Sequence, residues 1–128
     1  MVEAVDKQNI IRGKRILLVD DEPSVRGSFR MILELDDHTV TEAENGAEAL
    51  ELFTKGQFDL VTTDFGMPIM KGDELAVKIK EFSPKQPILM ITAYEKELGD
   101  PENPVDSILH KPFALDHLRG AIAKLLPN

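Results

Sequence analysis

The chain has 128 residues, of which 42% are hydrophobic and 30% charged, and its formal net charge is −8. This length and composition suit one soluble globular domain with its own core. The negative charge argues against nucleic acid as a partner, because nucleic-acid phosphates require a basic protein surface. The sequence contains no cysteine, which excludes disulfides, thiolate nucleophiles and cysteine-based metal sites.

The start of the chain carries no targeting signal. Residues 1–15 lack the apolar segment of a signal peptide. No apolar run approaches the roughly 20 residues of a membrane-spanning helix. We therefore expect a cytoplasmic protein without membrane contact. Residues 1–13 are expected to form an N-terminal tail and residues 14–128 a single folded domain.

Short apolar runs alternate with helical patterns along the chain. Alternating strands and helices predict an α/β fold, with a parallel sheet covered by helices on both faces and right-handed connections. Strands are predicted at 15–19, 38–43, 58–64, 87–91 and 105–110, and helices at 24–35, 45–55, 72–82 and 115–126.

Three single residues carry local expectations. Gly56 follows the second predicted helix and should end it in a left-handed conformation. Met31 and Met90 should fill gaps in the core, because methionine side chains adapt to irregular spaces.

The segment between the last two predicted strands does not follow the pattern. Residues 95–98 could begin a helix, but Gly99, Pro101 and Pro104 oppose its continuation. Each proline inside a helix costs roughly 3 kcal/mol. We predict at most one helical turn after Tyr94 and then an irregular, mobile segment, so that the fourth covering helix is degenerate or missing.

Polar side chains stand at four of the five predicted strand ends. Asp20 and Asp21, Asp64, Thr92 and Lys111 follow or end the first, third, fourth and fifth runs. The carboxyl ends of parallel strands share one edge of a sheet, where ligands bind in open α/β folds. Three carboxylates there would repel one another, and oxygen ligands suit Mg²⁺. A lysine and a hydroxyl bind phosphoryl oxygens, and an aspartate can act as a nucleophile.

Each of these residues also has a structural interpretation. The acidic run before Pro23 could cap the helix that follows. Asp64 could cap a turn, and Lys111-Pro112 is an ordinary end of a strand. Helix capping explains one carboxylate well and three in a row poorly. Complementary chemistry at four strand ends favours a functional site.

The sequence resembles the receiver domain of two-component response regulators (CheY-like) from about residue 14 to 126. The matching motifs are Leu-Val-Asp20-Asp21-Glu, Asp59-Leu-Val-Thr-Thr-Asp64 with Met-Pro and Gly72 after it, Ile-Thr92-Ala and Lys111-Pro-Phe. The resemblance implies a flavodoxin-like three-layer sandwich with a five-stranded parallel sheet in the order 2-1-3-4-5.

The resemblance also implies a role for each site residue. Asp64 would accept a phosphoryl group from a histidine kinase or a histidine phosphotransfer protein. Thr92 would be the switching hydroxyl, and Lys111 would clamp the phosphoryl group. Asp20, Asp21, Asp64 and the Gly66 carbonyl would hold Mg²⁺, directly or through water. The peptide bond between Lys111 and Pro112 would be cis.

Three features depart from the family pattern. Ile108 replaces the usual aromatic residue three positions before the lysine, which puts the coupling of Thr92 to that ring in question. Lys71 stands where an acidic residue is common. The third departure is the interrupted segment before the fifth strand, which is part of the family's usual output face.

Two other functions remain open at this level. One is an Mg²⁺-dependent phosphatase with an aspartyl nucleophile. Phosphatases of the haloacid-dehalogenase kind need a general acid two residues after the nucleophile, where this chain has Gly66. The other is an interaction scaffold that works without phosphorylation, which would not need the complete residue set. The leading hypothesis is a phosphoacceptor domain that catalyses only its own phosphorylation and dephosphorylation.

Overall fold

The apolar runs of the sequence form the strands of one parallel sheet. The computed structural model describes residues 10–93 and 104–126. The sheet order is β2-β1-β3-β4-β5, and all neighbouring strands are parallel, so the flavodoxin-like topology is confirmed. The strands are β1 Arg15–Val19, β2 Thr39–Ala43, β3 Leu60–Thr63, β4 Ile88–Thr92 and β5 Ser107–His110.

Within the described residues, four helices cover the two faces of this sheet. The predicted helix bounds hold within one residue at every end. Helix α1 begins at Pro23, because proline suits the first helical position, where its missing amide proton is not needed. The helices are α1 Pro23–Glu34, α2 Gly46–Lys55, α3 Gly72–Phe82 and α4 Leu115–Leu125.

The sheet separates two apolar cores. Successive side chains of a strand point to opposite faces, so Ile16 and Leu18 pack with α1 and α4, whereas Leu17 and Val19 pack with α2 and α3. Ile11, which precedes β1, is buried in the first of these cores. The three-layer architecture follows directly from this alternation.

Two local expectations were wrong. Gly56 follows α2, but its φ of −127° is extended and not left-handed. A Cβ atom at this position would lie 3.2 Å from the ring of Phe58, so the glycine makes room for that ring. Met31 is 70% exposed, on the outer side of α1, whereas Met90 is fully buried as predicted.

Acidic side chains connect the beginnings of neighbouring strands. Asp59 precedes β3, and its Oδ2 accepts a 2.8 Å hydrogen bond from the Arg15 amide of β1. Asp106 precedes β5, and its Oδ2 accepts a 2.8 Å bond from the Ile88 amide of β4. The same oxygen lies 2.8 Å from the Lys80 ammonium of α3. At the amino edge of the sheet, acidic side chains therefore connect β1 with β3 and β4 with β5.

A partly buried ion pair joins α4 to the turn between α1 and β2. Arg119 of α4 donates two hydrogen bonds, of 2.9 and 2.8 Å, to the two carboxylate oxygens of Asp36. The hydrogen bonds to Asp36 raise the pKa of Arg119 above its ordinary value. This two-armed contact fixes the last helix against the amino edge.

The segment predicted to be irregular lies mostly outside the described residues. Pro104 is described and is not helical. Tyr94 and residues 95–103 are not described, so the degenerate or missing helix between β4 and β5 stays a prediction. Within 10–93 and 104–126, no helix is long and apolar enough to span a membrane.

Candidate phosphoryl-transfer site

Asp20 follows β1 directly and is held by main-chain contacts. Its amide donates a 3.1 Å hydrogen bond to the carbonyl of Ala43 at the end of β2. Its side chain is buried, and Oδ1 accepts a 3.0 Å bond from the amide of Glu22. Glu22 is the residue before α1, and no side-chain cap bonds the first turn of that helix. Glu22 of the acidic run therefore occupies the N-cap position of α1, but its side chain does not bond the first turn of the helix.

Asp64 occupies the corresponding position after β3. Its amide donates a 3.2 Å bond to Val19, and its Oδ1 accepts a 2.7 Å bond from the amide of Phe65. The Thr63 hydroxyl donates a 2.9 Å bond to the Asp64 carbonyl. The first residue of α3, Gly72, comes so close that a Cβ atom there would overlap this carbonyl oxygen. Both the main chain and the carboxylate of Asp64 are thus fixed.

Within the described residues, Lys111 supplies the only ammonium group that contacts these two carboxylates. Its Nζ lies 3.4 Å from Oδ2 of Asp20 and 3.6 Å from Oδ2 of Asp64. Its amide donates a 2.9 Å bond to the carbonyl of Thr92, the fully buried last residue of β4. The peptide bond from Lys111 to Pro112 is cis, as the resemblance implied.

The three aspartates form one cluster at the carboxyl edge. Asp20, Asp21 and Asp64 each offer an oxygen atom, and these atoms lie within 4.8 Å of one another. Lys111 balances one of the three negative charges, which leaves two unbalanced. A cluster of carboxylate oxygens without nitrogen or sulfur donors fits a hard divalent cation such as Mg²⁺. Gly66 lies in the turn after β3, and the role of its carbonyl stays a prediction.

One residue near the cluster was missed at the level of sequence. The Arg26 guanidinium of α1 donates a 2.7 Å bond from Nη1 to the carbonyl of Asp20 and a 2.7 Å bond from Nε to Glu42 of β2. Arg30 also bonds Glu42, at 2.8 Å. The hydrogen bonds from Arg30 and Arg26, in that order, lower the pKa of Glu42. The sequence contained one indication of this contact. A cation in the first turn of a helix is unfavourable at the positive end of the helix dipole unless an anion lies near it.

The sheet thus brings together groups that are far apart in the sequence. Asp20 and Lys111 are 91 positions apart and lie in contact. Residues 16–123 match the family model of the response regulator receiver domain. The chain belongs to this family. The family is that of two-component signalling, and its members act as phosphoacceptor domains.

Individual relatives agree with this assignment. The chain is 38% identical to the chemotaxis protein CheY of Halobacterium salinarum over 117 residues, which are 89% of this chain and 98% of that protein. It is 35% identical to the response regulator MprA of a Mycobacterium species over 115 residues, which are 88% of this chain. That match covers only 50% of MprA, so the chain spans half the length of this relative.

Solved structures give the same result. The response regulator TrrA of Thermotoga maritima, solved in complex with Mg²⁺-BeF, has a TM-score of 0.84 and 38% identity, and the match covers 88% of this chain and 99% of TrrA. TrrA has also been solved in complex with the histidine kinase ThkA, with a TM-score of 0.82, 38% identity and coverage of 88% and 98%.

Proposed function

We propose that Asp64 is the residue that accepts the phosphoryl group, and that a histidine kinase or a histidine phosphotransfer protein donates it. The observation that carries this proposal is the meeting of Asp64 with Asp20, Asp21 and Lys111 at one edge of the sheet. The TrrA regulator, which has been solved in complex with a histidine kinase, supports the choice of donor.

The contacts of Asp64 leave one carboxylate oxygen as the candidate nucleophile. Oδ1 is held by the Phe65 amide, which leaves Oδ2 facing the ammonium of Lys111. In the proposed step Oδ2 forms the new bond to phosphorus, and the bond from phosphorus to the imidazole nitrogen of phosphohistidine breaks. The imidazole leaves with the bonding electrons and takes up a proton. Lys111 holds a phosphoryl oxygen, and the Thr92 hydroxyl is the second contact.

The acidic cluster would hold Mg²⁺ through Asp20, Asp21, Asp64 and the Gly66 carbonyl, directly or through water. Mg²⁺ would neutralise the carboxylates and the incoming phosphoryl group, which otherwise repel one another. The presence of Mg²⁺-BeF in the TrrA structure supports this choice of ion.

The chain would act as a switch and not as an enzyme with a separate substrate. Gly66 occupies the position where a phosphatase of the haloacid-dehalogenase kind needs its general acid. We further propose that the receiver domain spans residues 14–128, with residues 1–13 leading into it and the side chain of Ile11 packed on its core.

Intact mass spectrometry tests the proposal. The protein is incubated with acetyl phosphate and Mg²⁺, and the wild type should gain the mass of one phosphoryl group. Asp64→Asn should gain nothing. Asp59→Asn is the matched control, because Asp59 precedes the same strand at the opposite edge. It should be modified like the wild type, and chelation of Mg²⁺ should prevent the reaction in both.

Two results would contradict the proposal. The first is a wild-type protein that stays unmodified under conditions that phosphorylate another receiver domain. The second is an Asp64→Asn variant that still gains one phosphoryl group, which would place the acceptor elsewhere.

A further inference from the structure

We propose that Arg26 is a positioning residue for the divalent-cation site. Its ion pair with Glu42 holds the guanidinium on the carbonyl oxygen of Asp20, which fixes the turn that carries Asp20 and Asp21. This inference rests on the proposed function, in which these two carboxylates hold Mg²⁺. Arg26 itself does not touch the cation or the phosphoryl group.

The turn after β1 is anchored at every polar atom of Asp20. The amide bonds Ala43, Oδ1 bonds the Glu22 amide, and Oδ2 faces Lys111. The remaining group is the carbonyl oxygen, and the Arg26 guanidinium bonds it at 2.7 Å. Without Arg26, a peptide plane next to the site would lose a charge-assisted hydrogen bond.

Arg26 contacts this turn through its main chain as well. Its amide donates a 2.9 Å bond to the carbonyl of Glu22, which is the first helical bond of α1. Its side chain is only 15% exposed, and the guanidinium reaches back over the turn to Asp20. Arg26 therefore holds the acidic turn with two hydrogen bonds, one from its main-chain amide to Glu22 and one from its side chain to Asp20.

Glu42 holds the guanidinium in this position. It lies on β2 and pairs in register with Leu18 of β1, two residues before Asp20. One carboxylate oxygen of Glu42 bonds Arg26 at 2.7 Å, and the other bonds Arg30 at 2.8 Å. The two arginines thus share one carboxylate, but of the two it is Arg26 that bonds Asp20.

Charge and geometry predict opposite effects of Arg26 on Mg²⁺ binding. A positive charge close to a cation site repels the cation, so removal of the charge alone would tighten Mg²⁺ binding. Loss of a positioning contact would weaken it instead, because residues that orient metal ligands typically contribute about tenfold or more to metal affinity. The sign of the change therefore identifies the role of Arg26.

The experiment measures the Mg²⁺ dissociation constant of the unphosphorylated protein by calorimetry. Arg26→Met removes all side-chain donors but keeps an apolar stem, and we expect about tenfold weaker Mg²⁺ binding. Arg30→Met is the matched control. It removes the same charge from the same carboxylate but leaves Asp20 in contact with Arg26, so binding should equal or exceed that of the wild type.

A second readout needs no metal. In Mg²⁺-free protein, hydrogen exchange at the Glu22 amide should be faster in Arg26→Met than in Arg30→Met, because this amide bonds the Asp20 carboxylate. Glu42→Gln keeps an oxygen acceptor but loses the ion pair, and we expect an intermediate loss of Mg²⁺ affinity. Arg26→Lys keeps the charge without the two-armed donor and should restore only part of the affinity.

Unchanged or tighter Mg²⁺ binding by Arg26→Met would overturn the inference. If this variant does not fold, Glu42→Gln carries the test, and wild-type affinity in that variant would overturn the inference equally. A failure of the proposed function looks different. In that case Asp21→Ala would bind Mg²⁺ as tightly as the wild type, which would place the cation away from the acidic turn.

Discussion

The Nζ atom of Lys111 lies 3.6 Å from Oδ2 of Asp64, although 47 positions separate the two residues in the sequence. The contact joins the end of β5 to the end of β3 across β4. It also places a single positive charge beside the oxygen that we propose as the nucleophile. In the proposed function, Lys111 would therefore compete with the cation for the carboxylates and attract the incoming anion.

Lys111→Met should change these two properties in opposite directions. The side chain is 27% exposed, so the fold should persist. Mg²⁺ should bind more tightly, because a competing charge is gone, and phosphorylation by acetyl phosphate should slow by about 100-fold. Calorimetry and intact mass measure the two effects, and Lys124→Met on the outside of α4 should show neither. A Lys111→Met protein that does not fold would instead give the lysine a structural role.

Two adjacent threonines of β3 should respond oppositely to replacement by valine. The Thr62 hydroxyl is buried without a hydrogen-bond partner, whereas the Thr63 hydroxyl bonds the Asp64 carbonyl. Thr62→Val should raise the free energy of unfolding by about 1 kcal/mol, and Thr63→Val should lower it by about 1 kcal/mol. Urea denaturation measures both. Equal effects in the two variants would show that the hydroxyl contacts do not control stability here.

His38 should make the stability depend on pH. Its Nδ1 accepts a 3.0 Å hydrogen bond from the Lys14 amide, and its Nε2 is buried without a partner. Burial lowers the pKa of His38 below the ordinary 6.5, with Lys14 and Arg12 adding to the effect, although Asp36 and Asp37 oppose it. The unfolded chain therefore takes up a proton first as the pH falls.

The loss of stability should begin as the pH falls through 6.5 and end below the lowered pKa of folded His38. Above 6.5 the imidazole is neutral in both states and contributes no pH dependence. Urea denaturation between pH 7.5 and 5 measures the effect. His38→Gln should lose this part of the pH dependence. A wild-type free energy of unfolding that rises as the pH falls from 7.5 to 5 would contradict the assignment of this effect to His38.

Gly72 should not tolerate a side chain. A Cβ atom there would overlap the Asp64 carbonyl, so Gly72→Ala must move α3 or the end of β3. We expect a loss of about 3 kcal/mol in the free energy of unfolding and slower phosphorylation. Gly120→Ala in α4 is the control, because a Cβ atom there meets nothing within 4 Å. It should gain about 1 kcal/mol from higher helix propensity, and a gain in Gly72→Ala as well would contradict the close approach.

Ile69 combines backbone strain with exposure. Its φ is +71°, a conformation that β-branched residues rarely adopt, and its side chain is 77% exposed. Ile69→Asn should raise the free energy of unfolding by about 1 kcal/mol, because asparagine tolerates this region. Ile69→Val keeps the strain and should be neutral. Thermal unfolding measures the difference, and a less stable Ile69→Asn would show that the exposed side chain contributes packing.

The sequence was sufficient to predict most of the sheet and the contents of its carboxyl edge. Short apolar runs predicted the strands, and strand alternation predicted that Asp20, Asp64 and Lys111 share one edge. The contact between Arg26 and Glu42 was not predictable in this way. The contact depends on how β2 lies beside β1. Hydrophobic patterning does not specify which polar side chains then meet, and these two residues are 16 positions apart in the sequence.

The failures at single residues have similar physical reasons. Helical spacing shows which residues share a face, but not how far a core extends around it, so Met31 could not be placed outside. Glycine after a helix is often left-handed, yet Gly56 is extended, and a Cβ atom there would approach the ring of Phe58 to 3.2 Å. The left-handed Ile69 had no sequence signal, because isoleucine disfavours that conformation.

The acidic residues at the two edges of the sheet have different partners. At the amino edge Asp36, Asp59 and Asp106 are bonded to arginine, lysine or main-chain amides. At the carboxyl edge Asp20 and Asp64 share one lysine. A strand of five residues separates the edges by about 16 Å, beyond the distance at which mutational effects usually couple. Heat resistance could therefore be improved at one end of the molecule without altering the rate of the phosphoryl transfer that we propose for the other end.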